Sequence, residues 1–178
     1  GQITKEPVNN GSELVSYSGF SATNFLDQPY NSDLNFGNND FAVYGWFKLA
    51  TNNSEQCIMM LMEPTGQVDY ILIGQQSNGD MRFQVDSLNG ASVAYATTLP
   101  TGAWIHYCGI NLDDDRTYLY INGKNTELHN NTVHGFGGSS FDNTTGRLTF
   151  GRKSPASYNA ASAKPFGGEL ALWRISKS

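Results

Sequence analysis

The sequence predicts an all-β domain built from antiparallel strands, a sandwich or a barrel. Three observations point there. Turn signals built on Gly, Asn, Asp and Pro recur at short intervals along the whole chain. Between them lie short runs in which apolar and polar residues alternate, the period of a half-buried strand. No window holds a 3.6-residue apolar period bounded by caps, so almost no helix is expected.

The clearest strand organises the rest. Phe41, Val43, Gly45, Phe47 and Leu49 fall on one side; Ala42, Tyr44, Trp46 and Lys48 fall on the other. One face is uniformly apolar and the other aromatic and mixed. The residues before it, from Asp33 to Asp40, open as a Gly/Asn/Asp turn. Upstream, residues 1–12 are polar, carry Pro7 and Asn9-Asn10-Gly11, and read as a linker or tail; residues 13–178 read as one domain. Glu13–Ser18 and Ser21–Asp27 are predicted strands.

Downstream, Gln56–Met62 is apolar on both faces, as in a strand covered on both sides. Val68–Gly74 follows. In the next strand Met81, Phe83 and Val85 alternate with Arg82, Gln84 and Asp86. Val93–Thr98 continues the meander. Ala103–Leu112 and Thr117–Ile121 flank an acidic turn at Asp113-Asp114-Asp115. Asn122-Gly123 is a strong hairpin signal, because a type I′ turn needs positive φ at both central residues. A short strand near Asn125–His129 is predicted next. Residues 130–145 and 153–164 read as long polar loops, with strands Arg147–Arg152 and Glu169–Ser176 after them.

Composition excludes several functions. The formal net charge is −5 and no Lys/Arg cluster is present in the sequence. Nucleic-acid binding rests on neutralising phosphates, so no nucleic acid is expected as a partner. No apolar run approaches the roughly 20 residues of a membrane helix. Cys57 and Cys108 both fall within predicted strands. Two free buried thiols is the preferred reading, and one inter-strand disulfide is the alternative.

Four pieces, in order, carry a resemblance. They are Ser32-Asp33-Leu34-Asn35-Phe36-Gly37 with Asp40-Phe41 and Trp46-Phe47-Lys48; Trp104-Ile105-His106-Tyr107; Tyr118-Leu119-Tyr120-Ile121-Asn122-Gly123-Lys124; and Leu148-Thr149-Phe150-Gly151-Arg152 with Phe166-Gly167-Gly168-Glu169-Leu170 and Trp173-Arg174-Ile175. Together they resemble the concanavalin A-like lectin/glucanase superfamily in its laminin-G/pentraxin-like branch, over roughly residues 13–178. The resemblance implies a jelly-roll β-sandwich. The segment Tyr17–Asp33 looks like versions of this domain appended to bacteriophage tail and virion proteins. That implies a non-catalytic module binding a cell-surface glycan, on a virion surface or outside the cell, as a homo-oligomer through its parent protein. A structural decoration or oligomerisation domain with no sugar ligand is the alternative.

Glucanases of the superfamily carry paired carboxylates on one strand, in a Glu-x-Asp-x-x-Glu or Glu-x-Asp-x-Glu run. Glu13, Glu55, Glu63, Glu127 and Glu169 each stand alone here, so no enzyme is expected. Relatives also hold Ca²⁺ at the rim through loop oxygens; Asp33 beside Asn31 is the expected ligand, with turn capping as the competing role. Sugar contacts are expected from Tyr30, Asn31, Tyr158 and Asn159. A loop tyrosine stacks on a sugar ring and neighbouring amides bond its hydroxyls. Trp46, Trp104 and Trp173 are expected in the core.

Overall fold

The structure is a computed structural model; it describes residues 3–7, 15–52, 54–62, 69–87, 90–96, 99–112, 116–126, 128–129, 141, 144–154 and 162–178. Its strands are β1 (Thr4–Pro7), β2 (Val15–Ser18), β3 (Leu26–Gln28), β4 (Phe41–Lys48), β5 (Gln56–Met62), β6 (Tyr70–Gln75), β7 (Met81–Ser87) and β8 (Gly90–Ala96). They continue with β9 (Trp104–Leu112), β10 (Arg116–Ile121), β11 (Lys124–Asn125), β12 (Leu128–His129), β13 (Arg147–Phe150) and β14 (Glu169–Lys177). A 3₁₀ turn spans Ser32–Leu34.

Two seven-stranded sheets form. The terminal sheet runs β1-β2-β14-β4-β9-β10-β11, and the meander sheet runs β12-β8-β7-β6-β5-β13-β3. The strand pairings are antiparallel. This is the predicted jelly-roll sandwich.

The core lies between the sheets. Phe41, Val43, Phe47 and Leu49 enter it from β4 and the residue beyond; Met59, Leu61, Ile71, Ile73, Phe83 and Val85 face them from the meander sheet. Each such side chain contributes roughly 1.5–3 kcal/mol by leaving water. Gly45 sits among them because the Trp173 ring occupies its side-chain space; a Cβ there would lie 2.6 Å from that ring.

Gln56–Met62 is buried along its whole length, as its sequence predicts. Its second face carries a smaller cluster of Cys57, Met60, Met62 and Leu72, with Tyr70 against it. Asn122 and Gly123 take positive φ, 51° and 78°, and close the expected hairpin.

Three readings change. Thr4–Pro7 is not part of a linker: it pairs with β2 as the edge strand of the terminal sheet. The edge tolerates Pro7, whose missing N–H would break an inner ladder. Ser21–Asp27 is mostly irregular, with β3 starting only at Leu26, because Ser21 and Asn24 close a local backbone turn. The single strand expected near 125–129 is two, and they belong to opposite sheets.

Cys57 and Cys108 are both free thiols. Cys57 lies on the outer face of the meander sheet, and Cys108 alternates with the core residues Tyr107 and Gly109 on the terminal sheet. The sandwich separates them, so the disulfide alternative falls. Burial pushes the Cys57 thiol up to about 12.

β14 carries an irregularity between Ala171 and Arg174. Leu172 there takes φ of 55° and is 47% exposed. A left-handed conformation costs a side chain with a Cβ about 1–2 kcal/mol. Leu172→Gly is therefore expected to leave the domain as stable or about 0.5 kcal/mol more stable, despite glycine's entropy in the unfolded chain. Urea unfolding checks this; a loss above about 1 kcal/mol would refute the strain.

Candidate functional site

The outer face of the meander sheet is where polar side chains converge. On β7 the core-facing Met81, Phe83 and Val85 are buried, which turns Arg82, Gln84 and Asp86 outward. Register then fixes their neighbours. Arg82 lies between Gly74 on β6 and Tyr95 on β8; Gln84 lies between Leu72 and Val93; Asp86 lies opposite Tyr70. Gly74 is forced, because a Cβ would stand 2.5 Å from the Gln56 carbonyl oxygen.

Hydrogen bonds order this face. Gln84 Nε2 donates to the Tyr70 hydroxyl at 2.6 Å and to Asp86 Oδ2 at 3.2 Å. Gln76 Nε2 lies 3.5 Å from the Tyr95 hydroxyl. Glu55, from the turn before β5, reaches in beside Arg82. Its carboxylate pairs with Lys153 at 2.7 Å, Lys164 at 3.2 Å and Arg82 Nη2 at 4.0 Å. Burial works to raise the Glu55 pKa, but the hydrogen bonds and charges of Lys153 and Lys164 outweigh it and hold the carboxyl below its usual value.

Among the described residues two buried side-chain atoms have no hydrogen-bond partner: Arg82 Nε on this face, and Asn111 Oδ1 on β9 of the terminal sheet. An unpaired buried donor costs about 1–3 kcal/mol.

Elsewhere, a rim cavity of about 780 Å³ opens at the end of β4, between Lys48, Glu169, Phe20, Thr101 and Gly168. Lys48 forms an ion pair with Glu169 and its ammonium lies 5.5 Å from the centre of the Trp104 ring. The neighbouring Trp46 is not a core residue: it is 38% exposed, with its ring 5.2 Å from that of His106. Trp104 is half-buried on the same outer face. Strand alternation gives the reason, since Trp46 falls opposite to Gly45 and Phe47. Trp173 alone of the three packs in the core, against Tyr107 and Phe150, and its Nε1 donates to the Trp46 carbonyl.

The residues expected to hold a sugar are differently placed. Tyr30 is exposed, in the β3–β4 connection. Asn31 is committed to capping: its Oδ1 accepts from the Asp33 N–H at 3.0 Å. Tyr158 and Asn159 lie outside the described residues. The chain on either side of them is anchored by Lys153 and Lys164 at Glu55, at the start of β5. Tyr30 follows β3, where Asp27 pairs with Arg147, and Arg147 stands opposite Met62 at the far end of β5. Among the described residues no group of three His, Cys, Asp or Glu side chains gathers at Asp33 or anywhere else. Nor is any described helix long and apolar enough to cross a membrane.

The Arg82 site was missed by sequence reasoning although its signal was visible. The alternation Arg82, Gln84, Asp86 marks an outward face; only the register shows that Glu55, Lys153 and Lys164 join it.

No curated protein sequence matches this chain. Solved structures similar in fold include domain 4 of AbnA, an extracellular arabinanase of Geobacillus stearothermophilus, in complex with arabinotriose. The two share 17% identity and a TM-score of 0.62, over 99% of this chain and 81% of that one. Domains LG4-5 of the mouse laminin α1 chain align at 14% identity and TM-score 0.67, over 97% of this chain and 45% of that one. The CBM40 of a Ruminococcus gnavus sialidase, bound to α2,6 sialyllactose, aligns at 10% and 0.57, over 77% and 76%. A laminin-G family model covers residues 23–178, and the chain belongs to the concanavalin A-like lectin/glucanases superfamily.

Proposed function

We propose that this domain binds carbohydrate without catalysis, through the outer face of the meander sheet. The observation that carries the reading is the Arg82 guanidinium. It is fixed between Gly74 and Tyr95, with a buried N–H that no protein group satisfies. Around it Gln84, Asp86, Tyr70, Tyr95 and Gln76 supply the amide, carboxylate and phenol groups that bond sugar hydroxyls. Similar folds solved with arabinotriose and sialyllactose support the reading. Display on a virion or another extracellular surface would multiply a weak single site through effective concentration.

The test is a glycan array probed with the domain in multivalent form, as wild type, Arg82→Met and Tyr30→Ala. Binding is expected to vanish in Arg82→Met and to survive Tyr30→Ala. Arg82→Met also relieves the unpaired buried donor, so its Tm is expected to equal or exceed wild type. Loss of binding in Tyr30→Ala alone would move the site to the rim of Tyr30 and Asn31, near the β3–β4 turn. Silence of the wild type across the array would favour a structural or oligomerisation domain.

Calcium at Asp33 is a second proposal, carried by the family resemblance and by the exposed Asp33 at the 3₁₀ turn. A Tm raised by CaCl₂, reversed by EDTA and insensitive to calcium in Asp33→Asn would support it. Superimposable melts would remove it.

A further inference from the structure

We propose that the outer face of the terminal sheet is a dimer interface, and that its partner is a second copy of this chain stacked face to face. The proposal is independent of the sugar reading and uses the opposite side of the sandwich.

The first argument is composition. On β4, Ala42, Tyr44 and Trp46 point away from the core, because Val43, Gly45 and Phe47 point into it. Burial alternates in the same way on β9, which turns His106, Cys108 and Ile110 outward, and on β10, which turns Tyr118 and Tyr120 outward. Register gathers them: Trp46 stands opposite His106, and Cys108 stands between Tyr44 and Tyr120. Every described strand belongs to one of the two sheets, so among the described residues no third layer covers this face. A sheet face turned to water ordinarily carries polar side chains. Here the charges stand at the margins. Lys48 and Glu169 pair at one end, and Arg174 lies on the β14 side. Arg116 opens β10 at the other end, where Asp40 precedes β4 and Asp113-Asp114-Asp115 join β9 to β10. Aromatic side chains inside a charged margin are the composition of an interface core and its rim.

The second argument is shape, and it selects a second copy. β9 runs through the middle of the face with His106, Cys108 and Ile110. The larger rings of Tyr44 and Trp46 rise beside it on β4, and those of Tyr118 and Tyr120 on β10. The face is a valley between two ridges. A two-fold axis along the strands, between β4 and β9, lays the β4 ridge of each copy into the β9 valley of the other. The same rotation sets the β10 ridge over β14. Arg174 shares a row with Tyr120, and Ser176 shares one with Tyr118, so the guanidinium meets a tyrosine ring. Sheets of like twist stack in this manner about 10 Å apart.

The third argument is area. Four strands about 4.8 Å apart, along the length of β9 at about 3.3 Å per residue, give a footprint of roughly 500 Å². A standard interface buries about 800 Å² per partner, so the dimer is a weak one, micromolar or looser.

Sedimentation velocity of the whole chain tests this, loaded from about 1 μM to about 1 mM. The sedimentation coefficient is expected to rise with concentration from monomer to dimer and stop there, because a two-fold contact closes. Added salt is expected to strengthen association by screening the repulsion between copies of net charge −5. Trp46→Lys is expected to weaken it by roughly thirtyfold or more, and Arg174→Glu severalfold. Tyr30→Ala, away from the face, is expected to leave it unchanged. Cys108 gives a second readout at the centre of the face. Cys57 is buried, so a maleimide reports on Cys108, and labelling is expected to slow as the dimer forms. Circular dichroism melts confirm that the variants fold.

A monomer at every concentration overturns the proposal; if glycan-array binding is then lost in Trp46→Lys, the face is a sugar platform instead. A dimer that both Trp46→Lys and Arg174→Glu leave intact, or in which Cys108 labels at an unchanged rate, overturns the assignment to this face. Growth beyond the dimer overturns the two-fold arrangement.

Discussion

Gly168→Ala should cost at least about 3 kcal/mol and is the single-methyl change expected to do the most damage to this domain. A Cβ at position 168 would run into the Lys48 carbonyl oxygen, and would stand 2.7 Å from Phe166 Cζ. Neither neighbour can yield cheaply. The Lys48 carbonyl belongs to the last residue of β4, next to the Lys48–Glu169 register pair. Phe166 is fully buried and packs on Phe20. Overpacking a core typically costs 1–3 kcal/mol, and more where backbone must shift. Chemical unfolding against Gly102→Ala would isolate the steric cause. A Cβ at Gly102 meets no atom within 4 Å, although its φ of 74° still penalises alanine. Equal losses in the two variants would show that conformation, not collision, governs.

Gln56→Leu is the second large effect, about 3 kcal/mol, through hydrogen bonds. Gln56 and Gln75 are buried amides on neighbouring strands. Gln56 Nε2 donates to Gln75 Oε1 at 2.8 Å and to the Thr51 carbonyl at 3.0 Å, while its Oε1 accepts from the Gly167 N–H at 3.0 Å. Gln75 Nε2 in turn donates to Asn52 Oδ1 and the Gly79 carbonyl. Asn52 Nδ2 donates to the Leu99 carbonyl. This one chain of amides ties together the backbone at Thr51, Gly79, Leu99 and Gly167 through six hydrogen bonds. Leucine fits the volume but strands a buried N–H and two oxygens, and each orphan costs about 1–3 kcal/mol without the bond it lost. Gln56→Glu keeps one acceptor and separates the roles. If Gln56→Leu unfolds at the wild-type urea midpoint, the network is not what joins these loops.

The fold was legible because each strand repeats one simple signal. Phe41–Leu49 alternates, Gln56–Met62 does not, and Asn122-Gly123 marks its own hairpin. These depend on neighbours in sequence. The site depends on neighbours in space. Arg82, Glu55, Lys153 and Lys164 come from three separate stretches, and nothing local announces that strand order brings them together. The same limit explains the two glutamines, which read as polar positions at strand ends yet are buried. It also explains Trp46, whose exposure followed from alternation with Gly45 and Phe47 but was hidden by the habit of tryptophan to be buried. Tyr30 and Asn31 read as a sugar-binding pair, yet Asn31 spends its side chain on the turn that holds Asp33.

The irregularity in β14 also bears on how the chain avoids misassembly. A uniform strand can slide by two residues along its partner and keep its apolar face inward. β14 cannot do so freely. Its extra residue, Leu172, separates two paired stretches, and Trp173 fits only where Gly45 leaves room on β4. A slip would drive the indole into an occupied position. The bulge and the glycine act as key and keyway, so the closing strand of the terminal sheet has one seat and its slipped, aggregation-prone pairings are penalised before they can template another chain.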